Sequence, residues 1–444
     1  MLDERYDELF AEEERRARER RERRSQRRMR AERPPRRRLR WPRLRRPGLR
    51  RPRLRGGELG HLLEAPGGRL LAALVAVIAA ATVIGLLALW PYGFTPHGAP
   101  VTPTLTASVQ HVAQEPCRTP TPQQCRTLTI VAEGRRVTLS LGPVTSAPAV
   151  DAGETIRVTR TPTVPGEARP PHFEPYAFAD VDRHGSLLWM GLLVALFAAV
   201  VLRRRGLLAV LGVALSLGVV MWFLVPAILD GRPALLVGLV SALAVMFITL
   251  VLTNGVGAQS LAAALGISAT LLLSCGLAAL GVSVAHLDGK ADDVSLAIGA
   301  QDAHLSMQGI VLAAMLIGAL GVLADTAVTQ ASAVMALRRA MPAAGPGRLY
   351  REAFVVGRDH LSATIHTLVL AYAGAALPLL LVMRQARLPL ADALNAQSIA
   401  EPVVATIVGC AALIVAVPLT TGLAALLVAR VPPASLPDAH GHAH

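Results

Sequence analysis

The sequence lacks the short motifs that mark the common enzyme classes. Its 444 residues contain no Walker A sequence, no Gly-x-Ser-x-Gly, no His-Glu-x-x-His and no Cys-x-x-Cys. Each of these patterns sets a phosphate-binding loop, a nucleophile or a pair of metal ligands at a fixed spacing. We therefore predict that the chain is not an enzyme, that it has no cofactor and no metal centre, and that it does not drive pumping with ATP by itself.

Aromatic residues are also scarce, at 4% of the chain, and this bears on the basic tail. Residues 1–57 hold 23 Arg and 10 Asp or Glu, so nearly all of the net charge of +14 lies there. Trp41 is the only aromatic residue among the arginines of residues 34–57, so stacking platforms are missing and nucleic-acid binding is disfavoured. Two interpretations of the tail stay open: adsorption to anionic lipids, and a disordered segment that fixes the membrane orientation.

Charged residues are sparse over eight apolar windows. Hydrophobic residues make up 52% of the chain, and the mean hydropathy is +0.45. About 20 apolar residues suffice to cross the hydrocarbon core of a bilayer. The pattern predicts an α-helical integral membrane protein with about eight transmembrane helices, at Leu70–Trp90, Leu187–Leu202, Leu207–Leu229, Ala234–Thr253, Leu261–Val284, Gly309–Met335, Leu361–Met383 and Val403–Val428.

Basic residues between these windows predict how the helices are oriented. Arg203–Arg205 and the arginines from Arg338 to Arg358 fall on the same side as the basic tail when eight helices are counted. Short loops rich in arginine remain in the cytoplasm. We therefore expect both termini in the cytoplasm, with a tail at 1–57, an anchor at 58–91, a membrane domain at 184–430 and a His-containing tail at 431–444.

Residues 92–183 differ from the rest because long hydrophobic runs stop and Pro, Thr and Val become frequent. Short alternating stretches are separated by the turn signals Glu133-Gly134 and Ala152-Gly153. This spacing predicts a small extracytoplasmic β-barrel or β-sandwich between the first and second transmembrane helices. Its predicted strands include Thr127–Ala132, Arg136–Leu141 and Thr155–Thr159.

Only four cysteines occur in the chain. Cys117 and Cys125 lie in the predicted β domain, and we expect a local disulfide there because an extracytoplasmic compartment is oxidising. Two unrelated thiols are the alternative. Cys275 and Cys410 lie in apolar helices, where a cysteine is ordinarily a small buried side chain.

A series of motifs runs through the membrane half of the chain. They are Asp182-Arg183, Pro226-x-x-Leu229-x-Gly231, Gly309-Ile310, Ile317-Gly318-Ala319-Leu320-Gly321 followed by Asp325, Gly357-Arg358-Asp359, Leu370-Ala371-Tyr372, Asn395, Glu401 and Pro418-Leu419-Thr420. Together they resemble the YibE/F family of bacterial multi-pass membrane proteins over about residues 104–428. The resemblance implies a plasma-membrane location and this architecture, and it adds Tyr372 to the candidate site residues. His366 and Thr329 depart from it, because they stand where the family tends to have Asn and Ser.

Asp325 is the leading candidate for function, because it lies within an apolar segment long enough to cross a bilayer. A carboxylate at the centre of a membrane helix costs roughly 2.5–3.5 kcal/mol and needs a partner. Thr329 and Ser332 follow it at helical spacing, so the three share a face, and Asp325 is expected to face the bundle. Either this face binds an ion or proton, or its hydroxyls pack helices together while Asp325 pairs with an arginine such as Arg358.

The next predicted helix carries Asp359, Ser362 and His366 nearly on one face. His366 could form a proton pair with Asp325, or it could be satisfied by a neighbouring carbonyl group. Asn254 ends the fourth helix at an Asn-Gly-Val-Gly sequence, which indicates either a broken helix that binds ions or a simple turn.

Two classes of function remain. The first is an ion-coupled secondary transporter or permease with a polar path near Asp325, taking an ion or a small solute. The second is a non-transporting scaffold of the cell envelope. It would recruit partners through its β domain and basic tail, either another copy of the chain or an envelope protein.

Overall fold

A computed structural model describes residues 66–93, 103–117, 123–161, 175–290 and 305–430. The tails predicted at 1–57 and 431–444 lie outside these residues. Within them the chain forms ten α-helices and five β-strands. The helices are α1 Pro66–Ala88, α2 His184–Leu202, α3 Arg204–Val219, α4 Val225–Leu229, α5 Ala234–Asn254, α6 Ala258–Val284, α7 Met307–Ala340, α8 Pro346–Gln385, α9 Leu390–Asn395 and α10 Gln397–Val428.

Eight helical segments of the described chain are long and apolar enough to cross a membrane, which confirms the predicted number. One of them joins α3 and α4 through the π-helical turn Val220–Leu224. Pro226 follows this turn and has no N–H to donate, so the regular backbone ladder is interrupted there.

Helix α7 is the centre of the bundle. It packs against α5, α6, α8 and α10, and the largest apolar cluster gathers side chains from these helices. Helix α2 lies at the other extreme, because none of its residues is buried. The polar groups of α7 therefore decide what the interior of the bundle contains.

Helix α8 begins at Pro346, whereas the start predicted from hydropathy is Leu361, about four turns later. Its first four turns bury Leu349, Ala353 and Gly357 at four-residue spacing, while Arg351 and Arg358 are exposed. This amphipathic pattern continues the helix past its apolar window. Helix length was underestimated because charged residues on one face hid the apolar stripe on the other.

The strands are β1 Leu105–Pro116, β2 Gln124–Ala132, β3 Arg135–Pro143, β4 Thr155–Arg160 and β5 Tyr176–Val181. They form one antiparallel sheet in the order β3-β2-β1-β4-β5, and its edge strands β3 and β5 approach each other. The result is a small half-barrel with an apolar interior of residues such as Leu128, Ile130 and Ile156. Glu133 and Gly134 both have positive φ, the conformation that a two-residue hairpin turn requires.

A disulfide joins Cys117 and Cys125, as predicted, with their Cα atoms 4.9 Å apart. Cys125 lies in β2 and pairs across the sheet with Glu115 of β1, so the disulfide closes the end of this strand pair. Cys275 and Cys410 are free and partly buried.

Candidate functional site: the polar turns of helix α7

Asp325 lies near the middle of α7, and its side chain is exposed. No described side chain of a neighbouring helix covers it, and the expectation that it faces the bundle stays a prediction. Ala314, Gly318 and Gly321 are also exposed and lie on the same face, at intervals of four, three and four residues. Asp325 thus ends an open stripe of small residues, and no hydrogen bond or ion pair joins it to another described residue.

Two contacts between α7 and α8 give the depth of Asp325. A Cβ on Gly318 would lie 2.9 Å from the hydroxyl of Tyr372, and a Cβ on Gly357 would lie 2.5 Å from Gln330 Oε1. Since the two helices run in opposite directions, Asp325 lies at the level of the turn from Ser362 to His366. Helix α8 therefore brings its candidate residues to the same depth as Asp325.

On α8, Asp359 and His366 are both exposed. His366 Nδ1 lies 2.6 Å from the carbonyl oxygen of Ser362, so this nitrogen carries a proton and donates it to the backbone. This contact agrees with the alternative in which a neighbouring carbonyl group satisfies the histidine. Nε2 of His366 takes no part in that hydrogen bond.

Tyr372 is half-buried and belongs to the apolar contacts around α7. Its hydroxyl group lies close to Gly318, so a larger residue there would require the tyrosine side chain to shift. Tyr372, a candidate through resemblance alone, therefore contacts the same stripe that ends at Asp325.

Ser332 and Thr329, the other residues of the predicted α7 face, have different surroundings from Asp325. Ser332 donates to the carbonyl oxygen of Val328 at 2.8 Å and accepts from Gln259 Nε2 of α6 at 2.6 Å, so it links two helices. Thr329 is partly buried. The structure therefore brings Ser332 into helix packing and separates it from the exposed Asp325.

Asn254 is the last residue of α5, and α6 begins four residues later at Ala258. Gly255 has a φ of +70°, and Ser260 Oγ donates to its carbonyl oxygen at 2.5 Å. Asn254 Nδ2 donates to Thr253 Oγ1 at 2.9 Å. The sequence thus forms a tight turn between two complete helices, and the interpretation as a broken helix is wrong.

Sequence reasoning missed the residues that make the interior polar. Thr326 and Gln330 of α7, together with Thr420 and Thr421 of α10, are all 0% exposed. Gln330 is the residue from which a polar interior could have been predicted, because a side-chain amide in an apolar helix must find partners inside the bundle.

Two glycines make room for these side chains. A Cβ on Gly266 of α6 would lie 2.2 Å from Thr420 Oγ1, and one on Gly357 of α8 would meet the amide group of Gln330. Thr421 Oγ1 lies 3.0 Å from Gln330 Oε1. Residues of four helices therefore meet around one polar cluster, which we call the Thr–Gln cluster: Thr326, Gln330, Thr420 and Thr421.

Several atoms of the Thr–Gln cluster lack a hydrogen-bond partner among the described residues. They are Thr326 Oγ1, Thr420 Oγ1 and Gln330 Nε2. Hydroxyl groups elsewhere in the bundle, such as those of Thr270 and Ser274, donate to the carbonyl group four residues earlier. A buried polar group without a partner costs about 1–3 kcal/mol. The cluster is therefore a place where a bound ion or water would recover stability.

His360 adds a titratable group to this region. Gly357, His360 and Leu368 lie on one face of α8, at intervals of three and eight residues, and Nε2 of His360 is buried without a described partner. Gly357 contacts Gln330, so His360 lies one turn from the Thr–Gln cluster.

A separate set of polar side chains meets beyond the end of α6. Gln397 Nε2 donates to Asp288 Oδ1 at 2.6 Å and to Glu401 Oε1 at 3.0 Å. The hydrogen bond from Gln397 lowers the pKa of Asp288, and so does the backbone N–H of Lys290. Among the residues that the structure describes, no group of three or more His, Cys, Asp or Glu side chains could hold a metal ion.

The family model described as YibE/F-like protein matches residues 190–430, which is more than half of the chain. It covers α7, α8 and α10, and hence Asp325 and the Thr–Gln cluster, whereas the five β-strands lie before it. No curated protein and no solved structure matches the chain.

Proposed function

The chain belongs to the YibE/F-like family, and from that premise we propose that it is an ion-coupled secondary transporter of the bacterial plasma membrane. The observation that carries this proposal is the polarity of one segment of α7. Asp325 is exposed halfway along this helix, while Thr326 and Gln330, one and five residues later, are completely buried. One short segment thus links the surface of the bundle to its interior.

Helix packing by itself does not account for this segment. An exposed carboxylate within an apolar helix faces lipid unless an ion, water or a partner covers it. The hydroxyl groups of Thr326 and Thr420 add further cost, because they are buried without described partners. A path that is occupied by ions during transport explains both costs with one function.

The small residues of α7 offer a way to Asp325. Ala314, Gly318 and Gly321 leave the backbone uncovered on the exposed face, and Tyr372 of α8 borders it at Gly318. An ion moving along this face would meet Asp325, and the buried Thr–Gln cluster begins at the next residue of the helix. His366 and Asp359 supply titratable groups on the neighbouring helix.

Flux measured in proteoliposomes tests the proposal. Purified protein is reconstituted, and gradients of Na⁺, K⁺ or H⁺ are imposed one at a time, with protein-free vesicles as the control. The proposal expects flux of at least one of these cations above the control. Equal rates in both kinds of vesicle for every gradient would contradict it.

A scaffold of the cell envelope is the second candidate, and the exposure of α2 favours it. This helix follows the half-barrel directly, buries none of its residues and packs mainly on α3, so most of its apolar surface is open to a partner helix. Cross-linking from Leu193, whose side chain is 61% exposed, tests this function. A scaffold would yield one defined protein adduct, whereas a transporter surrounded by lipid would yield none.

A further inference from the structure

We infer that the Thr–Gln cluster is a binding site for a dehydrated monovalent cation, with Na⁺ as the preferred ion. The inference rests on the proposed function for its role in coupling, but binding at the site can be measured without any transport.

The single proton of Thr421 decides how Gln330 is oriented. Thr421 Oγ1 lies 2.6 Å from the carbonyl oxygen of Val417 and 3.0 Å from the amide of Gln330. The shorter contact joins two oxygens, so the hydroxyl proton must lie in it. The lone pairs of Thr421 are then left for Gln330, and only its NH₂ group can donate to them.

The amide group of Gln330 therefore turns its NH₂ toward Thr421, since a half-turn of its last torsion exchanges nitrogen and oxygen. Its carbonyl oxygen then occupies the buried position that lacks a partner. Together with Thr326 Oγ1 and Thr420 Oγ1, it makes three buried oxygen atoms without described partners. Thr326 and Gln330 are one turn apart on α7, and Thr420 is adjacent to Thr421, which contacts Gln330.

The chemistry of these atoms selects the class of ligand. Oxygen atoms of hydroxyl and amide groups coordinate hard cations, whereas the carbonyl oxygen of Gln330 would repel an anion. No carboxylate belongs to the cluster, and the nearest along α7, Asp325, is exposed on the other side. Burying a charge that no carboxylate compensates is costly, and the cost rises with the charge, so a monovalent cation is favoured over a divalent one.

The space around the cluster selects a small ligand. Gly266 and Gly357 lie so close to Thr420 and Gln330 that even an added methyl group would collide with them. An organic solute therefore does not fit between these helices, and the smallest ligands are favoured. Na⁺ is favoured over K⁺ because it needs less room.

The experiment compares thermal unfolding of the purified full-length protein in NaCl, KCl and choline chloride at equal ionic strength. A ligand that binds only the folded protein raises the unfolding midpoint as its concentration rises. The inference expects a rise of roughly 3–8 °C in NaCl at about 100 times the dissociation constant, and a smaller rise in KCl. Equal midpoints in the three salts would mean that the cluster holds water only, and would overturn the inference.

Matched variants locate the effect. Thr326→Val and Thr420→Val each remove one hydroxyl group at nearly constant volume, and both should abolish the rise produced by Na⁺. Thr270→Val is the control, because Thr270 is equally buried but donates to the carbonyl oxygen of Gly266. It should keep the full rise. A Na⁺ effect that survives in the Thr326→Val, Thr420→Val double variant would also overturn the inference.

The two experiments distinguish a failure of the proposed Na⁺ site from a failure of the proposed transport. A rise specific to Na⁺ without flux in proteoliposomes would retain the site and remove the proposed transport. Flux that is indifferent to Na⁺, together with equal midpoints in all salts, would retain transport and remove the site.

Discussion

Asp325 and Thr326 are neighbours in α7, yet Asp325 is exposed and Thr326 is 0% exposed. Successive residues of a helix differ by about 100° in direction, so the carboxylate and the hydroxyl point to different surroundings. This relationship places an exposed charge next to a neutral polar cluster in the interior of the bundle. Most of the functional account depends on these two positions.

The fit between Gly266 and Thr420 can be tested with a double-mutant cycle. Gly266→Ala would place its methyl group 2.2 Å from Thr420 Oγ1, so we expect a loss of about 1–3 kcal/mol in unfolding free energy from overpacking. Adding Thr420→Ala should recover much of this loss, because it removes the colliding hydroxyl. Gly276→Ala, which meets nothing within 4 Å, is the control on the same helix. Additive losses in the double variant would contradict the contact.

Arg338 holds together the ends of two helices. Its Nη1 donates to the carbonyl oxygens of Pro342 and Ala344, at 2.7 and 2.9 Å, and its Nη2 donates to that of Ala429 at 3.3 Å. We expect Arg338→Ala to lower the unfolding free energy by about 1.5–3 kcal/mol, because charge-assisted hydrogen bonds are lost. The exposed Arg348 provides the matched control, and Arg348→Ala should leave thermal stability nearly unchanged. Equal effects of the two substitutions would refute this role.

Acid should loosen the half-barrel through Glu133. Its carboxylate accepts hydrogen bonds from Tyr176 and Arg160, and these lower its pKa. A carboxyl group with a depressed folded-state pKa contributes stability above its unfolded pKa, and that contribution disappears as pH falls through the folded value. We expect hydrogen exchange in β4 and β5, corrected for its intrinsic pH dependence, to accelerate in this acidic range. Glu133→Gln should exchange faster at neutral pH and lose the acid-dependent step; an unchanged pH profile would contradict this assignment.

The predicted orientation places the half-barrel outside the cytoplasm. A cysteine introduced at Ser140 of β3 should react with a membrane-impermeant thiol reagent in intact cells, because the strand follows the first transmembrane helix. One introduced at Gly345, between α7 and α8, should react only after the cells are opened. The parent for both is a variant in which Cys275 and Cys410 are replaced. The opposite labelling pattern would contradict the orientation predicted from the arginine-rich loops.

The features of the fold that could be predicted from the sequence are those with a strong local signal. Apolar length is a strong signal, and it predicted the eight described helical segments that are long and apolar enough to cross a membrane. Strands β1 and β5 were missed. In β1, Thr, Ser, Gln and His interrupt the apolar residues, and a register shift between Val109 and His111 breaks the alternation. Glu133-Gly134 and the cysteine pair were predictable because their chemistry is local.

The exposure of the Asp325 side chain was not predictable from the sequence of α7 alone. This helix is apolar on all sides and contacts four neighbours, so its sequence contains no polar stripe that marks the outer surface. Gly266 and Gly357 decide which polar residues can enter the interior, and they belong to other helices. The Thr–Gln cluster therefore emerges only from the packed bundle.

The most direct test of ion-coupled transport is the effect of Asp325→Asn on cation flux in proteoliposomes. Asp325 is exposed and has no described ion-pair partner, so the substitution should leave unfolding free energy within about 0.5 kcal/mol of the wild type. The account predicts that flux falls at least about tenfold, or 1.4 kcal/mol in activation free energy. Asp392→Asn, at an exposed carboxylate of α9, should transport like the wild type. An Asp325→Asn protein that is stable and transports at the wild-type rate would contradict the account.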